Sequence, residues 1–170
     1  MINELFNDLK NENFYTNELK EHCENTLYYA NELMNELDLK NGNNKKLVQY
    51  GAILHDIGKI DEAQKIYWFI KDYHEIIGMC FIVQNKYIFN ELQKHNFTVN
   101  DIEKLCKIIL YHKKGKKNEK LACIVAAADK LAHIKEDNTR KKESHKKIKK
   151  IPNKTISQTA IKMLENNFNK

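Results

Sequence analysis

Three features are missing from this chain of 170 residues, and each closes off a class of protein. No run of β-branched residues alternates with polar ones at period two, so a sheet architecture is not expected. No apolar stretch approaches the ~20 residues of a membrane span, and the first eight residues, Met-Ile-Asn-Glu-Leu-Phe-Asn-Asp, lack the basic-then-apolar pattern of a secretory signal. The four cysteines, Cys23, Cys80, Cys106 and Cys123, stand far apart with no C-x-x-C pair, which argues against a disulfide or zinc framework. They read instead as small apolar core residues in a reducing compartment. A soluble, cytoplasmic protein with no membrane partner is the expectation. The single proline, Pro152, and the wealth of Lys and Asn read as coding bias and carry little functional information.

What is present is helical periodicity. The length fits one domain, residues 1–170, with a core large enough to be stable without staples. A first helix is predicted over 17–37, with Leu19, Cys23, Leu27, Ala30, Met34 and Leu37 on one face, followed by a turn at 38–44 containing Gly42. Further helices are predicted over 45–55, 61–70 and 73–90. Thr98-Val-Asn-Asp101 has capping-box spacing, with Asp in place of Glu or Gln, and opens a helix that ends near His112. Another covers 118–135. A last one covers 153–169, where Ile156, Ala160, Ile161, Met163 and Leu164 form a weak apolar stripe that is a candidate homodimer surface. The expected fold class is all-α, without internal repeats.

Charge is uneven. The chain carries 29 Lys and Arg against 23 Asp and Glu, but residues 113–150 hold 14 against 5, a local charge of +9, and the remainder carries −3. The basic part is therefore local.

Six residues break the apolar stripes of these helices. His22 follows Leu19 by three and neighbours Cys23; His55 follows Val48 and Ala52 and is joined to Asp56; His74 lies between Ile70 and Ile77; His112 follows Leu105, Ile108 and Ile109. Asp129 ends the run Cys123-Ile-Val-Ala-Ala-Ala-Asp129, four residues after Val125, where an unpaired carboxylate would be expensive to bury. A single histidine on an apolar face is more often a hydrogen-bonded core residue than a ligand. Six breaks, all imidazole or carboxylate, are harder to explain separately than as one metal constellation, because these are the ligands that divalent transition metals take.

Leu54-His-Asp-Ile-Gly-Lys59 carries a resemblance to the HD superfamily of metal-dependent phosphohydrolases, in its His-Asp-Ile-Gly variant. The upstream His22, His74 in His-Glu-Ile-Ile-Gly78, His112 in Tyr-His-Lys-Lys-Gly115 and Asp129 in Ile124-Val-Ala-Ala-Ala-Asp-Lys-Leu131 follow in the order of that pattern, over about residues 15–136. The resemblance implies a compact helical bundle with a metal site in a central cleft. It implies that His22, His55, Asp56 and Asp129 hold one metal and that His74 and His112 hold a second, with Asp56 bridging. Two-metal hydrolysis would follow, in which the cations polarise phosphoryl oxygens and make hydroxide available near neutral pH. Iron or manganese is expected from the family, with cobalt, nickel, zinc or magnesium as alternatives. Asp56 and Lys59 are the expected catalytic residues, with Lys59 and Lys113 contacting substrate phosphate.

The implied function is hydrolysis of a phosphomonoester or phosphoanhydride in a nucleotide or dinucleotide. Alternatives are a phosphodiesterase or nuclease acting on RNA or DNA, and a non-catalytic nucleic-acid- or protein-binding module. Individual branches match in part. Tyr111-His112-Lys113 stands where the cyclic di-GMP phosphodiesterases have a paired His-His-Glu, and their Gly-Tyr-Pro is absent, which disfavours that substrate. The segments at His74 and Asp129 are similar to the catalytic domain of ribonuclease Y, without its anchor, coiled coil or RNA-binding domain. The six-ligand set on a small chain is closer to the bacterial diadenosine tetraphosphatases, which commonly have Ala before the lysine.

The basic stretch within 137–151, with Lys113, Lys114, Lys116 and Lys117, would either steer a phosphate-rich substrate or nucleic acid toward the cleft or form a solvated loop. Core packing is favoured over base stacking for Tyr67-Trp68-Phe69, flanked by Ile66 and Ile70. His133, one turn after Asp129, would either support the site or cap its helix, and His95 and His145 read as surface residues.

Overall fold

Helical spacing of the apolar residues is realised directly. The computed structural model describes residues 15–39, 42–70 and 72–168, and those residues form nine α-helices and no strands. In chain order they are α1 (Asn17–Glu36), α2 (Gly42–Leu54), α3 (Asp61–Ile66), α4 (His74–Gln84), α5 (Lys86–Lys94), α6 (Val99–Tyr111), α7 (Lys120–Glu136), α8 (Lys141–Lys149) and α9 (Lys154–Phe168). Short 3₁₀ turns lie at Ile57–Lys59, Trp68–Ile70 and Asn138–Arg140. The reading of the first eight residues, and the last residue of the predicted terminal helix, fall outside the described residues. No helix among the described residues is long and apolar enough to cross a membrane.

The axis of the fold is α7. Every residue from Ala122 to Ala132 is buried, and α1, α2, α6, α8 and α9 all pack on this helix. A helix that is apolar all round must sit at the centre of the core, and the small side chains of Ala126, Ala127 and Ala128 let neighbours approach from several sides. The buried apolar residues form one continuous cluster that draws on all nine helices.

The capping box at Thr98 fixes the start of α6. Thr98 Oγ1 accepts from the Asp101 N–H at 3.2 Å, and Asp101 Oδ2 accepts from the Thr98 N–H at 3.1 Å. Asn43 Nδ2 donates to Asp101 Oδ1 at 2.9 Å, tying the first turns of α2 and α6 together. The hydrogen bonds from Asn43 and then Thr98 push the Asp101 carboxyl down to about 2. Its stabilising contribution is thus complete above the ordinary carboxyl value of 3.8 and is lost as the pH falls toward about 2. Asp101→Ala is expected to lower the unfolding free energy by about 1 kcal/mol at neutral pH, with the difference shrinking at pH near 2. Urea titrations at the two pH values test this, and a pH-independent difference would refute it.

Several sequence expectations are corrected. The segment predicted as one helix over 73–90 is two, because Asn85 adopts an extended backbone and its Oδ1 accepts from the Ile88 N–H at 3.1 Å. Asparagine competes with the helical ladder for just such bonds. The helix predicted over 61–70 ends at Ile66, and the 3₁₀ turn after it breaks the core spacing. Tyr67 is buried, its hydroxyl donating to Gln84 Oε1 at 2.6 Å, but Ile66, Trp68 and Phe69 are exposed, Trp68 by 72%. The core reading for that aromatic triplet therefore holds for Tyr67 alone. His95 is not a surface residue. It is buried at the end of α5 beside Tyr50, and its carbonyl accepts from Lys46 Nζ. Residues 141–149 form a helix packed on α7 and α9 rather than a solvated loop, and His145 is half-buried on it. In the apolar stripe of α9, Ile156, Ala160, Met163 and Leu164 are buried within the chain and Ile161 is half-buried against the same core.

Candidate metal centre

Five helices and one 3₁₀ turn bring the stripe-breaking residues to one point. His22 projects from α1, His55 follows the last residue of α2, Asp56 opens the Ile57–Lys59 turn, and His74 begins α4. His112 ends α6, and Asp129 lies in the middle of α7. Gly58 makes the convergence of His55, Asp56 and His74 possible. A Cβ at that position would lie 1.9 Å from the His74 carbonyl oxygen and 2.6 Å from the Gly78 nitrogen, so only glycine lets α4 approach the turn this closely.

The Asp56 carboxylate is divided between two histidine pairs. Its Oδ2 lies 3.6 Å from His22 Nε2 and 3.4 Å from His55 Nε2, while its Oδ1 lies 3.1 Å from His74 Nε2 and 3.5 Å from His112 Nε2. Asp129 Oδ1 faces the first pair, 3.2 Å from His22 Nε2 and 3.9 Å from His55 Nε2. Within each pair the two Nε2 atoms face one another, at 3.2 Å for His22 and His55 and 3.3 Å for His74 and His112.

The outer ring nitrogens assign the tautomers. His55 Nδ1 is 2.8 Å from the Ala52 carbonyl, His112 Nδ1 is 2.6 Å from the Ile109 carbonyl and His22 Nδ1 is 2.9 Å from Glu136 Oε1. Each of these oxygens only accepts, so Nδ1 carries the proton and Nε2 presents a lone pair to the centre. Lone pairs held this close repel unless a shared proton or a cation lies between them. Asp56 Oδ1 is moreover buried and accepts no hydrogen bond, an arrangement that is costly for a carboxylate unless a cation satisfies it. These imidazole and carboxylate groups could hold divalent metal. The donor set of imidazole nitrogens and carboxylate oxygens without thiolate suits Mn, Fe, Co, Ni or Zn.

The electrostatics are consistent with that fit. Burial alone would raise the Asp56 carboxyl, but the imidazoles of His55, His112 and His74 around it hold it well below the usual carboxylate range. Asp129 behaves likewise, with Lys130, His133 and His22 outweighing burial. His22 is pulled down by burial and pushed up more strongly by Asp129, Asp56 and Glu136, so its net value is raised.

The structure draws in four residues beyond the six. His133 Nε2 lies 3.2 Å from Asp129 Oδ1, and its ring stacks on His22 with centroids 4.5 Å apart, so it supports the site instead of capping α7. Glu136 orients His22, and Lys130 donates to Asp129 Oδ2. Glu75 lies 3.5 Å from His74 Nδ1 and is paired with Lys113 Nζ at 2.9 Å. Positions 129, 133 and 136 share a helix face at i, i+4 and i+7, a spacing through which the sequence could have revealed Glu136. Lys59 Nζ is 2.5 Å from Asp56 Oδ2 and half-exposed, at the mouth of the site.

The centre opens on two sides. One cleft, of about 430 Å³, is walled by Asp56, His74, His112 and Asp129 together with six lysines. The other, of about 500 Å³, is lined by Tyr15, Leu19 and Ile60 and by groups of both charges.

The family model of the HD domain matches residues 19–134 of the chain, a span that contains all six converging residues and His133. No curated protein and no solved structure matches the chain.

Proposed function

Since the chain belongs to the HD domain family, whose members are mostly metal-dependent hydrolases, we propose that it is a phosphohydrolase acting on a nucleotide or dinucleotide with two metal ions, iron or manganese first. The observation that carries this reading is the Asp56 carboxylate set between two histidine pairs whose Nε2 atoms face inward. Divalent cations held there would supply Lewis acidity toward phosphoryl oxygens and acidify water near neutral pH. In the reaction a P–O bond to the leaving group breaks, the oxygen of water forms the new one, and the leaving oxygen takes up a proton. Asp56 and Asp129 offset positive charge, and Glu136, Ala52 and Ile109 fix the imidazoles that aim at the centre. Lys59, on its flexible stem, meets the phosphate at the cleft mouth.

A cleft of about 430 Å³ favours a small molecule over a polymer strand. The basic region favours a nuclease or a nucleic-acid-binding module as the second reading, and a substrate panel separates the three. Phosphate and nucleotide release is measured in manganese from nucleoside mono-, di- and triphosphates, dinucleoside polyphosphates, cyclic nucleotides and short RNA. Turnover confined to RNA would favour the nuclease, and binding to RNA without turnover of anything would favour the module.

The metal count tests His74 and His112 directly. Elemental analysis is expected to find two metal ions per wild-type chain and one in His74→Ala, because that variant strips a ligand from the second site and leaves His22, His55, Asp56 and Asp129 intact. Two ions retained in His74→Ala would remove this residue from the ligand set. Loading is also expected to weaken as the pH falls through the raised His22 value, since ligation needs the neutral ring.

A further inference from the structure

Two lysine clusters far apart in the chain meet at the mouth of the metal cleft. Lys113 and Lys114 follow directly on His112, whereas Lys147 and Lys150 come from the end of α8, and all four line the same cleft as Asp56, His74, His112 and Asp129. Gly115 and Pro152 join them. Gly115 has φ +68°, and a Cβ there would lie 2.7 Å from Cys123 Sγ and 3.3 Å from Pro152 Cδ. The loop after His112 is therefore pressed against the turn that follows α8, in a backbone conformation that favours glycine. From below, α8 is fixed by the buried Ser144 and Ile148, and Ser157 Oγ donates to the Ile148 carbonyl at 2.9 Å. With that side committed to the core, Lys147 on the last turn of this helix and Lys150 just after it line the cleft.

The supply of positive charge exceeds what one reacting phosphate needs. Lys59 and Lys130 lie on the ligands Asp56 and Asp129, and Lys113 is paired with Glu75. Lys147 is paired with Glu143 at 2.6 Å, an exposed ion pair that contributes little and is readily exchanged. Lys114 and Lys150 form no ion pair with any described residue. Ammonium groups gathered around one concave surface repel one another and concentrate anions there. The opposite opening, by contrast, carries Glu18, Asp61 and Glu136 beside Arg140.

We infer that the cleft takes a substrate carrying a chain of several phosphates, whose reacting phosphate sits by Asp56 and His112 and whose further phosphates are held by Lys113, Lys114, Lys147 and Lys150. This rests on the phosphohydrolase reading above and names its substrate class. Lys147 and Lys150 lie beyond the residues that match the family, so this subsite belongs to the chain's own C-terminal helices. The cleft volume suits a small polyphosphorylated molecule.

Calorimetry on the full chain carrying its metal, at fixed free metal, tests the inference with non-hydrolysable imidotriphosphate and with orthophosphate. Wild type is expected to bind imidotriphosphate at least about tenfold more tightly than orthophosphate. Lys147→Ala/Lys150→Ala is expected to lose about tenfold for imidotriphosphate and under about twofold for orthophosphate. Lys142→Ala/Lys146→Ala makes the same change of charge on exposed positions of α8 outside the cleft, and should change either affinity by less than about twofold. Equal affinity of wild type for the two ligands would overturn the inference. So would equal weakening by both double variants, which means diffuse charge only, or tighter binding of short RNA lost in the same cleft variant, which means a strand. If this binding pattern holds while the substrate panel shows no turnover, the hydrolase reading fails and the polyphosphate subsite stands. Turnover with no triphosphate preference would do the opposite, sinking the subsite and leaving the hydrolase reading in place.

Discussion

Asp56→Ala is expected to lower kcat by on the order of 10³-fold or more, at least the loss seen when a single transition-state donor is removed, and to leave less than one metal ion per chain. The size follows from the position of the carboxylate. Oδ1 and Oδ2 of this one residue face different histidine pairs, so its removal strips a ligand from both proposed sites together. It also removes the carboxylate that reaches His22, His55, His74 and His112 alike, leaving Asp129, which faces His22 and His55, in the centre. Wild type and variant are compared on the substrate panel, with elemental analysis and circular dichroism to separate metal loss from unfolding. A folded Asp56→Ala chain with two metal ions and turnover within about tenfold of wild type would refute the bridging role.

Gly58→Ala carries the largest expected structural effect. Its added methyl group would meet the His74 carbonyl oxygen at 1.9 Å, the Gly78 nitrogen at 2.6 Å and the His74 carbonyl carbon at 2.9 Å. These are backbone atoms and cannot rotate away, so α4 must back off from the Ile57–Lys59 turn. Overpacking of this kind costs roughly 3 kcal/mol or more, and at about 2–4 °C per kcal/mol for a chain of this size the loss is readily seen in thermal unfolding. Because His74 opens α4, the same displacement draws its Nε2 away from Asp56 Oδ1, now 3.1 Å distant. The second metal ion is expected to be lost along with activity. Gly42→Ala is the control, since nothing lies within 4 Å of a Cβ at that position. Unchanged melting temperature and metal content in Gly58→Ala would show that the close approach of α4 does not hold the site together.

Much of the candidate site is legible in the chain because burying a titratable group is costly. His22, His55, His74, His112 and Asp129 each interrupt an apolar stripe, and the structure brings them together around Asp56. The helices carrying them are also readable, since a period of three to four residues is a local property. Errors fall where local and tertiary preferences compete. Asn85 diverts its side chain to the backbone and splits one predicted helix into two, and the turn at Trp68–Ile70 exposes aromatic rings that helical spacing would bury. His95 is buried because α5 ends against Tyr50, a contact between residues 45 positions apart.

The sequence by itself determined that the chain is helical, which side chains break the apolar faces, and that the residues available for chemistry are imidazoles, carboxylates and lysines. Only the tertiary structure decided that the two oxygens of Asp56 face different histidine pairs, that His133 and Glu136 stand behind His22, and that α8 carries Lys147 to the cleft reached by Lys113. The physical reason is one of range. Periodicity reports neighbours within a turn or two of the same helix, whereas the distance between helices is set by how their buried faces pack, here by glycine at position 58 and by Gly115 against Pro152.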